Sequence, residues 1–335
     1  MLDRVSVTSF DVARLAGVSQ ATVSRALRDM RGTSEATRRR VREAARQLGY
    51  VPRQTARSLA TSRTRRIGVV IGELGNPFYA ALLDPLIARL HERGYLAVVV
   101  HDDDVSELDC EPLLDGSLDG AVLATVRAGS AAPEELGRRG VPFVLVNREQ
   151  AGKWGDVSVA DNRAGATLAA ELLLGLGHRR IGMIGGPPDT STARARTEAF
   201  RDALAAAGVA LSPGLVVHGA FDLATGSDGF DRLMGAPRPP TAIFCANDVL
   251  AIGALHRARS SGVDVPSQVS VVGFDDIPLA SLAQIGLTTV SADLRTMAVT
   301  AVDLLLERLA DPALGQRRVL HAATLVRRAT HAAAP

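Results

Sequence analysis

The sequence predicts an α/β protein in which a small all-α head precedes a two-lobed body of doubly wound parallel sheets. Three observations lead there. Arginine crowds the first 66 positions, short helical patterns fill that same stretch, and from residue 67 apolar β-branched runs alternate with helical patterns in two successive series. At 335 residues the chain has length for two or three folding units. With 47% apolar and 22% charged residues it is globular rather than disordered.

The net charge of +2 conceals an asymmetry. Residues 1–66 carry 15 arginines, no lysine and five acids, a balance of +10, whereas the rest carries 23 basic and 31 acidic side chains, a balance of −8. An arginine-rich composition accounts for arginine over lysine. It does not account for acids being scarce in one segment. A basic head on a mildly acidic body points to nucleic acid or a membrane surface as partner. No apolar run is long enough to span a bilayer, and the N-terminus lacks the apolar stretch of a secretory signal. A cytoplasmic protein with no membrane partner is therefore expected. Cys110 and Cys245 are too few for a disulfide framework, which fits a reducing compartment.

In the head, Val12, Leu15 and Ala16 recur at the spacing of one helix face. Gly17 permits a tight turn, Val18 supplies an apolar plug, and Ser19 stands where a cap belongs ahead of a second helix, Gln20–Arg28. A third helix is expected after Ser34, with Val41, Ala45 and Leu48 inward and Gly49 as its end. Helix, glycine turn and capped helix make a helix-turn-helix. Gln20, Ala21, Thr22, Ser24 and Arg25 form the outward row at the start of the second helix, which suits base edges and phosphates in a major groove, and the capping Ser19 is counted with them as a DNA contact. After Pro52, the segment Gln54–Ala60 offers one large apolar residue, Leu59, outside any core. It reads as a hinge that folds on its partner, with Leu59 as a wedge between base steps and Thr61–Arg66 as a basic linker.

In the body, strands are expected at Ile67–Ile71, Leu96–Val100, Ala121–Ala124 and Phe143–Val146, then at Ile181–Ile184, Leu215–Val217, Ala242–Phe244 and Val269–Val272. Helical patterns lie near Tyr79–Arg93, Ala164–Leu176, Ala193–Ala207, Val249–Ser260 and Leu294–Leu309, and Pro85 predicts a kink or early break in the first of them. Ligands in such sheets sit at the carboxyl ends of strands, where this chain places Gly72–Tyr79 with Asn76 and Phe78 among them, Asp161-Asn162, Gly185-Gly186 followed by Ser191–Arg196, Phe221-Asp222, Asn247-Asp248 and Asp275-Asp276. Amides, carboxylates and arginine offer hydrogen bonds to hydroxyls, and aromatics cover a ring face, a combination that favours a sugar or other polyol over a lipid. Asp and Asn at such places also form turns and helix caps. Trp154 is a further stacking candidate, and His178 before Arg179 reads as a helix C-terminal charge pair.

No phosphate-loop, dinucleotide, zinc-protease or nucleophile-elbow pattern occurs. His101 beside Asp102–Asp104 lacks a spaced second ligand set, and the two cysteines lie 135 residues apart, so neither metal nor cofactor is expected and no catalytic apparatus is read.

Asp11–Arg25, Ser34–Thr37, Leu48–Tyr50 and Ala56–Leu59 resemble the head of the lactose/galactose repressor (LacI/GalR) family. The likeness continues through Asn76–Phe78, Asp161–Asn162, Gly177–Arg179, Ala246–Asp248 and Val271–Pro278, essentially the whole chain. It implies a helix-turn-helix domain over 1–50, a hinge and linker over 51–66, and a periplasmic-binding-protein-like body over 67–335. One lobe would span about 67–160 plus a late return segment, the other about 161–290 plus the C-terminal strand. It implies a repressor that binds a near-palindromic operator as a homodimer, with Arg53, Ala56 and Leu59 of the hinge on DNA. A small effector, a sugar in the first place, would be held by Arg196, Asn247 and Asp275, with Asp161, Phe78 and Phe221 on the walls. A purine or nucleoside effector is the alternative. A solute-binding protein is a weaker one, since the basic head counts against it. Ser9-Phe10 and Arg53 depart from the family's usual residues, and the segment 104–118 looks shortened around Pro112.

Overall fold

The computed structural model describes residues 7–27, 32–50, 63–101, 111–152 and 154–335. It divides into two compact units, Met1–Thr64 and Arg65–Pro335.

In the first unit, helices α1 (Ser9–Ala16), α2 (Gln20–Leu27) and α3 (Glu35–Gln47) close on a core of Val12, Ala16, Val23, Ala26, Val41 and Ala45. The Thr8 N–H donates to Asp11 Oδ2 at 2.9 Å to start α1, and Gly17 ends it at φ 61°, a conformation open to glycine without strain. Ser34 Oγ accepts from the Thr37 N–H at 3.3 Å and caps α3. Leu15, expected inward, is 51% exposed. Ala13 takes the buried place instead, because the face that meets α2 and α3 runs through Val12, Ala13 and Ala16.

The second unit begins with β1 (Arg66–Ile71), α4 (Pro77–Glu92), β2 (Leu96–His101), α5 (Glu111–Leu114), β3 (Gly120–Leu123), α6 (Ala132–Arg138), β4 (Phe143–Val146) and β5 (Asp156–Ala160). The chain then crosses to a second lobe of α7 (Asn162–Gly175), β6 (Ile181–Gly185), α8 (Ser191–Ala206), β7 (Val216–His218), α9 (Leu223–Met234), β8 (Ala242–Cys245), α10 (Asp248–Ser260), β9 (Ser270–Asp275) and β10 (Thr288–Ser291). Helix α11 (Leu294–Ala310) and β11 (Arg318–His321) return to the first lobe, and β12 (Thr324–Val326) ends in the second. The sheets run β2-β1-β3-β4-β5-β11, all parallel, and β7-β6-β8-β9-β10-β12, in which only β12 is antiparallel. Among the described residues no helix is long and apolar enough to cross a membrane.

Helix α4 continues through Pro85 without a break, with Pro85 itself buried. Helix α9 carries Gly226 and Gly229, which disguise it as a loop in sequence. Its glycine is a packing requirement. A Cβ on Gly226 would stand 2.2 Å from the Leu250 carbonyl oxygen, and one on Gly253 would stand 2.3 Å from that of Leu223, so α9 and α10 touch backbone to backbone.

Three strands of chain join the lobes side by side. The Asp161 N–H donates to the His321 carbonyl at 2.8 Å, and Ser158 Oγ lies 2.9 Å from His321 Nε2 while donating to the Met297 carbonyl. Asp156, fully buried, is gripped by Arg308 at 2.7 Å and Arg317 at 2.8 Å, tying β5 to α11 and the return segment. Burial alone would raise its carboxyl; hydrogen bonds from both arginines outweigh that and hold it below the ordinary range.

Candidate functional site

In the first unit, α2 leaves Gln20, Ala21 and Arg25 exposed and Thr22 and Ser24 half-buried. Ser19 Oγ accepts from the Thr22 N–H at 3.2 Å and caps α2, and Gln20 Nε2 donates to Ser9 Oγ at 3.1 Å, which steadies the helix start against α1. Arg25 leans back toward Thr22 Oγ1 at 3.5 Å. The six residues expected to read DNA thus share the exposed side and first turns of one short helix, a geometry fitted to base edges and phosphates. Arg28, the hinge segment Gln54–Ala60, and Arg53, Ala56 and Leu59 lie outside the described residues.

In the second unit, both sheets place their second strand outside the first, so each has its switch point between its first and third strands. Residues that follow the carboxyl ends of β1 and β4 meet residues that follow β6, β7 and β8, with the last residue of β9, around a small cavity in the cleft. Six of the seven expected residues line it: Asn76, Phe78, Arg196, Phe221, Asn247 and Asp275.

Local structure fixes each of them. Asn76 Oδ1 caps α4 through the Phe78 N–H at 3.0 Å, and its Nδ2 donates across the cleft to the Phe221 carbonyl at 3.2 Å. Asn247 Oδ1 caps α10 through the Leu250 N–H at 2.9 Å. Arg196, on α8, donates to Asn162 Oδ1 at 2.8 Å and the Ala246 carbonyl at 2.7 Å, pairs with Asp275 at 2.9 Å, and stacks 3.6 Å from the Phe274 ring. Burial pushes Asp275 up, with Arg196 pulling against it, and burial draws Arg196 down from its ordinary value. Asp275 sits at φ 111° and Asp276 at φ 53°, a pair of non-glycine residues held in left-handed backbone at the cavity wall. Behind them Asp248 is wholly buried, accepting from the Ile277 N–H at 2.9 Å and from Thr289 Oγ1; burial raises its carboxyl well above the ordinary range.

Four further residues line it: Tyr79 and Thr192, which the strand-end stretches contain, and Asn147 and Arg148, which the sequence reading did not name. Arg148 matters most. It is 1% exposed, pairs with Glu73 at 3.2 Å, makes a loose 3.4 Å contact to the Thr125 carbonyl, and lies 5.8 Å over the Phe221 ring. Its Nε has no partner among the described residues. Asn147 and Arg148 follow β4 directly, so the rule that found the other strand-end residues reaches these two as well.

Three other expectations are corrected. Asp161 is absent from the cavity lining; its Oδ1 accepts from the Ala164 N–H at 3.0 Å and caps α7. Trp154 lies against Gly137, lining a separate hollow with Ser130 and Gln150. His178 is no surface charge: it is 1% exposed, bonded to Thr241 Oγ1 at 2.9 Å and the Ala332 carbonyl at 3.0 Å, and burial lowers its pKa.

The cleft is shut by bonds between the lobes. Arg127 pairs with Asp189 at 2.9 Å, the Ala128 N–H donates to the Asp189 carbonyl at 2.8 Å, and the Glu149 N–H donates to Ser191 Oγ at 3.0 Å.

Comparison with known proteins agrees with this architecture. A family model described as bacterial regulatory proteins, lacI family, matches residues 10–53, and one described as a periplasmic binding protein-like domain matches residues 170–331. The ribose operon repressor of Escherichia coli (strain K12) is 34% identical over 316 residues, covering 93% of this chain and 96% of that protein. Among solved structures, a transcriptional regulator CelR–cellobiose complex is 31% identical, covering 97% of this chain and 99% of that one, with a TM-score of 0.73. The lac repressor dimer bound to operator and an anti-inducer is 27% identical, covers 98% and 100%, and has a TM-score of 0.86. A helix-turn-helix unit, a two-lobed body with a polar cleft, and relatives matched from end to end make this chain a member of the lacI family of bacterial regulatory proteins, DNA-binding transcriptional regulators.

Proposed function

We propose that the protein is a cytoplasmic repressor that binds a near-palindromic operator as a homodimer and changes its grip on DNA when a small sugar occupies the cleft. The polar cavity between the lobes, with ionic, amide and hydroxyl groups on both lobes around aromatic faces, is the observation that carries this reading. Ser19, Gln20, Ala21, Thr22, Ser24 and Arg25 are proposed to enter the major groove, with Arg53, Ala56 and Leu59 acting at the operator centre. Two-fold protein symmetry matches two-fold operator symmetry. The body binds its effector without consuming it, and opening or closing the cleft alters hinge spacing by a coupling of about 1–3 kcal/mol. Domain limits follow the same reading: 1–50 for the helix-turn-helix, 51–66 for hinge and linker, 67–335 for the effector and dimerisation body.

Selection of bound duplexes from a random DNA pool by the purified chain, at near-physiological salt, tests it. One palindrome should emerge, and sugars should shift the apparent affinity for it while being recovered unchanged. Recovery of no motif with or without a sugar and purine mixture, or consumption of the sugar, would overturn the reading.

A further inference from the structure

We propose that the hollow beside Trp154 is a second small-molecule site, separate from the cleft, and that it takes a primary alkylammonium, a small amine with a positive charge and N–H donors.

The hollow lies on the first lobe, between the start of α6 and the loop that follows β4, and holds about 90 Å³, room for several waters or a few heavier atoms. Pro133 and Leu145 give it apolar walls. Trp154 is 40% exposed, yet it is held. A Cβ on Gly137 would stand 2.1 Å from the indole Cε3, so the six-membered ring lies flush on the backbone of α6. One side of the ring is thereby fixed against the protein, and its exposed part lines the hollow. A ring held in advance costs a ligand little ordering, and indole is the best of the aromatic side chains for meeting a cation.

The amide and charged side chains around the ring offer acceptors. Gln150 Nε2 donates to the Ser130 carbonyl at 3.0 Å, which fixes the amide and spends its nitrogen. Gln150 Oε1 is left buried, with no donor among the described residues. An unmet acceptor of this kind is costly, and a donor brought in through the hollow relieves it. Glu134 adds a carboxylate to the lining. Arg138, one helical turn on, holds that carboxylate at 2.5 Å, but the two side chains are 51% and 63% exposed. Exposed pairs are weak and yield to a competing cation.

These features choose among ligand chemistries. An anion meets the Glu134 carboxylate and the negative face of the ring. A neutral alcohol can donate to Gln150 but gains nothing from the ring or the carboxylate as a charge. A quaternary ammonium has the charge and no N–H. A primary ammonium carries a compact charge with three N–H donors, and its short chain fits against Pro133 and Leu145. Such a ligand rests on the two loops that bond the lobes together. Gln150 follows Glu149, whose N–H reaches Ser191, and Ser130 shares a loop with Arg127 and Ala128, which hold Asp189.

Trp154 is the chain's single tryptophan, so its emission reports on this hollow directly. The full-length chain is titrated at constant ionic strength and near-neutral pH with propylammonium, 1-propanol, propionate and tetramethylammonium. Propylammonium should change the emission saturably, with 1-propanol and propionate at least about tenfold weaker and tetramethylammonium at least about threefold weaker. Glu134→Gln, at an exposed position, should weaken propylammonium binding at least about threefold, whereas Arg138→Ala, which releases Glu134, should tighten it about two- to fivefold. An ion pair with a purely structural role would not give these opposite responses. Lys153, the chain's single lysine, stands between Gly152 and Trp154 in sequence and carries the same chemistry. Lys153→Gln removes it as an internal rival and should leave binding intact or tighter. No saturable response to propylammonium, an equal response to 1-propanol, or full affinity in Glu134→Gln overturns the inference. Binding confined to Lys153→Gln overturns it too, by giving the hollow to the chain's own lysine.

Discussion

Arg196 and Asp275 face each other at 2.9 Å with side-chain exposures of 3% and 8%, so the central polar contact of the cleft is complete within the protein. Neither partner is free to wander. Arg196 is also held by Asn162 and the Ala246 carbonyl, and Asp275 stands on constrained backbone. The recognition surface is thus preorganised, and little ordering cost is left for the ligand to meet.

Arg196→Ala should therefore do two things. It strips the buried Asp275 of its counter-charge, which costs about 3–5 kcal/mol of stability, and it removes the response to effector. Thermal melting reads the first and an operator-binding assay with and without sugar reads the second. An unchanged effector affinity would show that the pocket has been misplaced.

Arg127→Ala removes the ion pair to Asp189 but keeps the Ala128 N–H bond to the same residue. The pair is partly exposed, and such pairs are worth about 0–1 kcal/mol. Effector affinity should fall no more than about fivefold, with the deficit shrinking at high salt as screening removes the pair's contribution. A loss above tenfold, independent of salt, would mean that Arg127 touches the ligand.

Much of this was legible beforehand because the relevant residues sit where chain geometry must put them. Strand ends were found as apolar runs, and the stretches that follow them contain Asn76, Phe78, Phe221, Asn247 and Asp275, which the family resemblance then singled out. What stayed hidden has identifiable causes. Asp161 and Asn247 look alike in sequence, each a capping residue after a strand, yet Asn247 lines the cavity and Asp161 does not. Helix α9 was invisible because its glycines answer to α10, a partner distant in sequence. Arg148 was not named in the sequence reading, and the partners it meets, Glu73 and Phe221, lie far from it in the chain.

The buried histidines should make the body lose stability in mild acid, before carboxylates with lowered pKa such as Asp156 titrate. Burial lowers the pKa of His178, His321 and His331 in the folded chain. Below about pH 6.5 the unfolded chain takes up protons that these folded sites refuse. Their contribution is present above that pH and is lost as pH falls through it. His178→Gln can keep both the Thr241 and Ala332 bonds yet cannot titrate, so denaturation curves between pH 7 and 5 should show a shallower decline than the native chain. An identical decline would place the titrating groups elsewhere.

At the head, specific and non-specific DNA binding should come apart. Gln20 is exposed at the start of α2, where among the described residues Ser9 alone accepts from its amide, so that amide can turn to a base edge. A good bidentate contact of this kind is worth about 1–3 kcal/mol of discrimination. Gln20→Ala should weaken binding to the selected operator by about five- to 150-fold while leaving a scrambled duplex of equal length within about twofold, since phosphates carry the latter. Leu59→Ala should follow the same pattern, because a wedge acts only where the central step yields to it. Fluorescence anisotropy with both duplexes at one fixed salt concentration separates the cases. Equal losses on operator and scrambled DNA would assign these residues to general backbone affinity and remove them from sequence reading.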